Sequence, residues 1–385
     1  MPETGRATVS EVLPWRLDVP QSQLDDLQRR LRNTRLPDAE THPGWAQGVP
    51  LARIEDLVAY WRNGYDWRRC EQKLNDLGQF RTVIDGIDIH FLHVRSHHEH
   101  ALPIILTHGW PGSVIEFLKV IGPLTDPERH GGRAEDAFHV VIPSLPGFGF
   151  SQAPSGPGWG VERIAQCWIE LMRRLGYRRY VAQGGDWGSS VTVQMARQAP
   201  AALAGIHLNM VTARPETLDD ALDPDEVEAL DRLAHYGRSE AGYARQQATR
   251  PQTLGYALAD SPVGQAAWIY EKLRAWSDCD GEPETVFTCD EMLDTIMLYW
   301  LPNRAASSAR LYYESMRSFR PVPLALPVGI SNFPREILPV PRKWADALFS
   351  DIIHWGTPPR GGHFAAFEQP AFFVDELRTC FANLR

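Results

Sequence analysis

The run Gly184-Gly185-Asp186-Trp187-Gly188 lies between a strand-like stretch and a helix-like one. Small residues spaced around one central residue are the mark of a nucleophile elbow, a tight strand-to-helix turn that strains its central backbone and leaves no room for flanking side chains. The central residue here is an aspartate. A carboxylate so placed attacks an electrophilic alkyl carbon and forms an alkyl-enzyme ester. Taken alone, the run also reads as a glycine-rich turn whose aspartate caps the next helix. Ser113, Ser189 and Ser190 sit in no GxSxG pattern, which argues against a serine esterase.

Three further sites could complete such chemistry. Thr107-His108-Gly109-Trp110-Pro111-Gly112-Ser113 follows another strand-like stretch. The loop there and the residue after a nucleophile supply the two backbone N–H groups of an oxyanion hole, which points to Trp110 and Trp187. Pro111 restricts Trp110 and permits a cis bond between them; His108 is expected to be structural. An ordinary connecting loop is the competing reading. Arg360-Gly361-Gly362-His363-Phe364 places a histidine after the last strand, the position of a general base that activates water. An acid that orients it must fall between Asp186 and His363 in the chain. Glu336 is favoured, with Asp346 and Asp351 as rivals. His97, His98 and His100 read as a solvated loop rather than a metal site.

The elements that must hold these residues follow from periodicity. Leu24, Leu27 and Leu31 predict a helix between Pro20 and Pro37; Ile54, Leu57, Val58 and Trp61 predict another over 51–61. With Trp15, Trp45 and Trp67, residues 1–79 are expected to form a helical extension packed on the rest. Asp85-Gly86 separates strands 80–84 and 87–94 as a hairpin. Strands over 103–107, 138–142, 179–183 and 203–208 then alternate with helices near 114–121, over 161–175 and up to Arg197. That alternation predicts a mostly parallel sheet covered on both faces. It breaks at residue 214. Residues 214–323 are expected to be a helical lid inserted between core segments 80–213 and 324–385. The second core segment carries strands 324–330 and 351–355 and a closing helix over 364–381.

Composition bounds the function. The chain has 385 residues, enough for two domains or one large domain with an insertion. It is 43% hydrophobic and 23% charged, as a globular protein is. Its net charge of −9 argues against nucleic-acid binding. No apolar run is long enough to span a bilayer. Glu3, Glu11 and Asp18, with no apolar stretch among the first 25 residues, argue against a secretory signal. The five cysteines, an odd number with no CxxC pair, are expected to be free thiols in a reducing cytoplasm. Lysine stands only at 73, 119, 272 and 343, a skew toward arginine that suggests a GC-rich bacterial genome.

His108-Gly109-Trp110-Pro111-Gly112-Ser113, Gly185-Asp186-Trp187-Gly188 and Gly361-Gly362-His363-Phe364-Ala365-Ala366 together resemble the epoxide hydrolases of the α/β-hydrolase superfamily. Arg30-Leu31, Thr34-Arg35-Leu36-Pro37, Tyr60-Trp61 and Tyr65-Asp66-Trp67-Arg68 resemble the N-terminal domain of the microsomal-type subgroup, which includes insect juvenile-hormone enzymes and soluble bacterial and fungal ones. The resemblance spans nearly the whole chain. It implies an α/β-hydrolase fold with Asp186 as nucleophile, His363 as base and Glu336 as its acid. It also implies two lid tyrosines that hydrogen-bond the epoxide oxygen. Tyr243 matches the first and Tyr312 the second, with adjacent Tyr313 as an alternative register. An epoxide and water are the implied reactants, a vicinal diol the product, and no cofactor or metal is called for. Trp268, Tyr270, Trp276, Tyr299 and Trp300 would give the lid an aromatic lining, which suits an apolar epoxide with or without an aryl substituent. Detoxification or natural-product biosynthesis, enediyne pathways among them, are the implied settings, and a homodimer is compatible with both. The mammalian members' membrane anchor has no counterpart here, so no membrane association is expected. A haloalkane dehalogenase, which uses the same aspartate, histidine and acid but needs halide-binding N–H donors in place of the tyrosines, is the alternative. A catalytically silent binding protein on the same fold is a more distant one.

Overall fold

A computed structural model describes residues 11–385 except 199, 215, 216, 218–220 and 317–319. The first ten residues of the extension, one position of the first core segment and a few near the two ends of the expected lid therefore lie outside the described residues. Nine strands form one sheet among the described residues: β1 (Leu13–Pro14), β2 (Gln79–Ile84), β3 (Ile87–Val94), β4 (Leu102–Thr107), β5 (Phe138–Pro143), β6 (Tyr180–Gly184), β7 (Leu203–Leu208), β8 (Val328–Ser331) and β9 (Ile352–Gly356). Their spatial order is β1-β2-β3-β5-β4-β6-β7-β8-β9. The pairs from β1 to β5 are antiparallel, and every pair from β5 to β9 is parallel. This is the α/β-hydrolase fold, with a mostly parallel central sheet.

Local sequence explains most of the elements. Asp85 and Gly86 both have positive φ, 51° and 76°, as a two-residue hairpin turn between twisted strands requires. β5 is buried along its whole length, which is why it reads as an unbroken apolar run. The helix Val161–Arg174 buries Ile164, Trp168 and Leu171 at helical spacing against the sheet.

The chain crosses from β4 to β5 on one side and then to β6 on the other. Such a reversal of strand order opens a crevice at the carboxyl ends of β4 and β6, where open α/β sheets bind ligands. Gly109-Trp110 leaves β4 there and Asp186 leaves β6 there.

The structure departs from expectation at four places. The strand expected over 324–330 is only Val328–Ser331, with a single bridge from Leu324 to Phe349 upstream. Pro321, Pro323 and Pro327 lack the N–H groups that a longer ladder would need. The closing helix is two, Ala365–Glu368 and Pro370–Cys380, because Pro370 cannot continue the first and starts the second. The helix Trp67–Asp76, capped by the Asp66 side chain, was not anticipated. Residues 114–121 start as a 3-10 turn, Val114–Phe117, before the helix Leu118–Thr125.

Between β7 and β8 come eight helical segments among the described residues, from Pro224–His235 to Ala305–Ser315. The segment before β2 reaches this insertion through polar groups. The Tyr60 and Tyr65 hydroxyls donate to Asp290 (2.9 Å) and Asp294 (2.7 Å), and Arg30 pairs with Asp260. Trp15 packs on His90 and Phe150, and Trp45 on Tyr270. All five cysteines are free. No helix among the described residues is long and apolar enough to cross a membrane.

Candidate active site

Asp186 sits at φ 51°, ψ −130°, a conformation that costs a non-glycine residue about 1–3 kcal/mol. The glycines around it are dictated by contact. A Cβ on Gly188 would stand 1.9 Å from the Thr107 carbonyl oxygen, one on Gly184 2.1 Å from that of Gly188, and one on Gly185 2.7 Å from the Asn209 amide nitrogen. The turn as it stands therefore leaves room only for glycine at these positions.

Two groups hold that carboxylate. The Trp110 N–H donates to Oδ1 at 2.8 Å, and His363 Nε2 lies 3.3 Å from Oδ2. The Trp110–Pro111 bond is cis. His363 donates from Nδ1 to Glu336 Oε1 at 2.7 Å, so the imidazole bridges two buried carboxylates. Burial alone would keep the ring neutral. The charges and hydrogen bonds of Glu336 and Asp186 outweigh it and push His363 well above its usual value. Asp346 and Asp351, the rival acids, lie elsewhere: Asp346 pairs with exposed Arg342, and Asp351 is itself exposed.

The loops that carry His363 and Glu336 are tied together. Arg335 bridges Gly362, and its N–H donates to the Gly361 carbonyl at 3.0 Å. Buried Glu368 accepts from the N–H groups of Gly362, Phe364 and Asp278, which fixes the histidine loop against the insertion. Arg232 donates to the Pro334 and Glu336 carbonyls and holds the acid's loop from outside. His108, as expected, is structural: it is buried, bonds the Gly109 carbonyl and accepts from Leu145 N–H, and burial lowers it to about 4.

Rings from the insertion close over this group. Tyr243 stacks on Trp110 with centroids 4.9 Å apart, and Tyr312 meets Trp187 edge-on at 4.8 Å. The two tyrosine rings are 5.8 Å apart. Burial pushes both phenols well above their usual range, so they stay protonated donors. Tyr312 is 3% exposed, and its neighbour Tyr313 is 58% exposed. Of the five aromatics expected to line the lid, Trp276 packs on His363 and Tyr243, at 5.1 Å from each. Tyr299 donates to the Gly112 carbonyl. Tyr270 and Trp300 instead face Trp45 and Arg30 of the N-terminal segment, and Trp268 bonds Gln247.

Three residues here were not anticipated. The Tyr236 hydroxyl is 2.8 Å from that of Tyr243, on a π-helical turn, Tyr236–Glu240. Lys272 is buried with its ammonium 4.8 Å from the Tyr243 ring centre. Glu116 lines the pocket beside Asp186 and His363. Only Glu116 leaves a trace in sequence, as the last residue of the capping box Ser113-x-x-Glu116. An open cleft of about 1040 Å³ borders the site at Tyr236 and Trp276. Away from the site, His97 and His98 meet Glu128 near the surface, their donor atoms within 4.8 Å of one another; His100 is not part of that group.

An α/β-hydrolase is defined by this sheet, with a carboxylate on the turn after β6 and a histidine–glutamate pair on the loops after β9 and β8. The family described as epoxide hydrolase N terminus matches residues 12–117, and the alpha/beta hydrolase fold matches 103–236. A Stigmatella aurantiaca protein named for epoxide hydrolase activity is 58% identical over 97% of this chain and 86% of its own. Epoxide hydrolase 1 of Sus scrofa is 35% identical over 95% of this chain and 88% of its own. Among solved structures, Aspergillus niger epoxide hydrolase superposes with a TM-score of 0.87 at 31% identity, covering 97% of this chain and 96% of that one. The Bombyx mori juvenile hormone epoxide hydrolase superposes at 0.90 with 29% identity, covering 98% and 95%. The chain belongs to the epoxide hydrolases and is a hydrolytic enzyme of that family.

Proposed function

We propose that the enzyme opens an apolar, aryl-substituted epoxide through an ester on Asp186 and releases a vicinal diol. The observation that carries this is one carboxylate, held by a backbone N–H and an imidazole, beneath two buried phenols. In the first step Asp186 attacks a ring carbon while Tyr243 and Tyr312 hydrogen-bond the ring oxygen and supply its proton. In the second, His363, oriented by Glu336, deprotonates a water that attacks the ester carbonyl. The Trp110 and Trp187 N–H groups hold the oxyanion. Electrostatics support this order. Esterification removes the Asp186 charge, which is one of the influences holding His363 protonated, so the imidazole becomes a base when one is needed.

Trp110, Trp187 and Trp276 around the tyrosines support an apolar, aryl-bearing substrate. No observation favours halide release. In this reading residues 1–79 brace a lid of residues 214–323 over a core of 80–213 and 324–385. The enzyme acts in the cytoplasm, in detoxification or natural-product biosynthesis, with no nucleic-acid partner and with a homodimer as its candidate assembly.

Single-turnover hydrolysis of styrene oxide in oxygen-18 water tests the mechanism. The first-turnover diol should carry unlabelled oxygen from Asp186 while the label enters the protein. His363→Gln should accumulate a protein mass shift of one substrate, and Asp186→Asn should show none. Label appearing in the diol of the first turnover would reject the ester.

A further inference from the structure

Beside Asp186 and His363 lies a small pocket of about 20 Å³, whose walls include Trp110, Gly112, Glu116 and Asn209. That is room for one water, and a buried water needs two to four polar partners. Asp186, His363, Glu116 and Asn209 supply them. Glu116 is an unusual member of the wall. A capping box on a protein surface works with a solvated carboxylate, but this one turns inward. Its Oε1 accepts the Ser113 N–H at 3.0 Å and occupies the space of a side chain at position 112, since a Cβ on Gly112 would lie 1.4 Å from it. Glycine at 112 thus makes room for a carboxyl group from one turn later. Burial pushes that carboxyl up to about 8, against the pull of His363 and with the push of the Asp186 anion.

We propose that this pocket binds the water that hydrolyses the ester and that Glu116 positions it. The proposal rests on the ester mechanism above. The water oxygen forms a bond to the Asp186 carbonyl carbon, and the ester C–O bond breaks. One water proton passes through His363 to the leaving alkoxide. The other, hydrogen-bonded to Glu116 during attack, replaces the proton that a lid tyrosine lent to the opened ring. Attack needs one water held with a lone pair toward the carbonyl carbon and a hydrogen toward Nε2. An acceptor for its second hydrogen fixes that orientation.

Glu116→Gln tests the assignment, because glutamine keeps the capping acceptor and the size of the side chain. Stopped-flow tryptophan fluorescence with styrene oxide separates ester formation from ester hydrolysis, and intact-protein mass reports the ester. Glu116→Gln should form the ester within about twofold of the wild-type rate and hydrolyse it on the order of tenfold more slowly, the loss of one oriented hydrogen bond. The ester then accumulates, and kcat and KM fall together with kcat/KM unchanged. Glu116→Asp, which withdraws the carboxyl by one carbon, should give the same split. Ser113→Ala, which loosens the same turn from its other side, should leave hydrolysis unchanged. Equal losses in both steps, or wild-type hydrolysis in both Glu116 variants, would overturn the positioning role. If His363→Gln also fails to accumulate an ester, the ester mechanism itself is wrong and the water assignment falls with it.

Discussion

At the scale of single residues, the site depends on atoms that are missing as much as on those present. Gly109 has no Cβ, and the Asp186 carboxylate takes that place: a Cβ there would lie 2.0 Å from Oδ1. Gly109→Ala therefore displaces a carboxylate oxygen that accepts the Trp110 N–H. A shift of this size in a reacting group costs on the order of 10²-fold in rate. The variant should lose about that much kcat/KM on styrene oxide; a rate near wild type would show that the carboxylate need not sit where Trp110 holds it. Such residues are legible in sequence because the constraint is local. The glycines, Asp186 and Trp187 are neighbours in the chain, so one turn's geometry fixes their spacing. Lys272 and Tyr236 act on Tyr243 across a fold that only tertiary packing creates, and no short pattern marks them. Glu336 is intermediate. Chain order requires an acid there, but only the bond to His363 separates it from Asp346 and Asp351.

Among the elements, the core strands were legible except for the start of β8, which follows the proline-rich 321–327 stretch. Buried parallel strands are short apolar runs between turn residues. β8 departs from that pattern because the prolines ahead of it remove donors while keeping its apolar look. The helix Trp67–Asp76 is hard to see because buried Glu71 interrupts its apolar face, where it accepts the Val19 N–H at 2.7 Å. The N-terminal segment meets the insertion through polar contacts as well as ring packing, and the polar ones give a test at this scale. Asp294, on the helix Cys289–Trp300, is pushed up to about 6 by burial, and the Tyr65 hydroxyl pulls the other way by donating to its Oδ1. Tyr65→Phe leaves a buried carboxyl short of a donor, at a cost of about 1–3 kcal/mol. The donor favours the charged form, so the loss should be larger at pH 8 than at pH 5. Urea midpoints at the two pH values measure it, and equal losses would mean that the pair carries no charge-dependent stability.

Over the whole molecule, buried titratable groups set how stability follows pH. His90 and His207 are lowered to about 3 and His108 to about 4 by burial, against a usual 6.5. Below 6.5 the unfolded chain takes up protons that the folded one refuses, so these histidines erode stability as pH falls toward 3–4. Glu116, Glu368 and Asp294 act in the opposite sense. Burial raises them to about 8, 7 and 6, so the folded chain keeps protons that the unfolded one loses above its ordinary carboxylate pKa near 4. Their contribution declines as pH rises through those values. Between about 4.5 and 6.5 the two sets oppose each other; below that the histidines act without opposition from these carboxyls. Acid unfolding should therefore be steep, and removing one buried imidazole should delay it. His90→Gln is a suitable choice, because an amide can still bond Ser144 and Gln79, the two partners of the ring. Its acid midpoint should move down by about half a pH unit, with little change in stability at pH 7. A midpoint that stays in place would mean that His90 takes its proton before the chain unfolds, and that burial of the imidazole does not govern acid stability here.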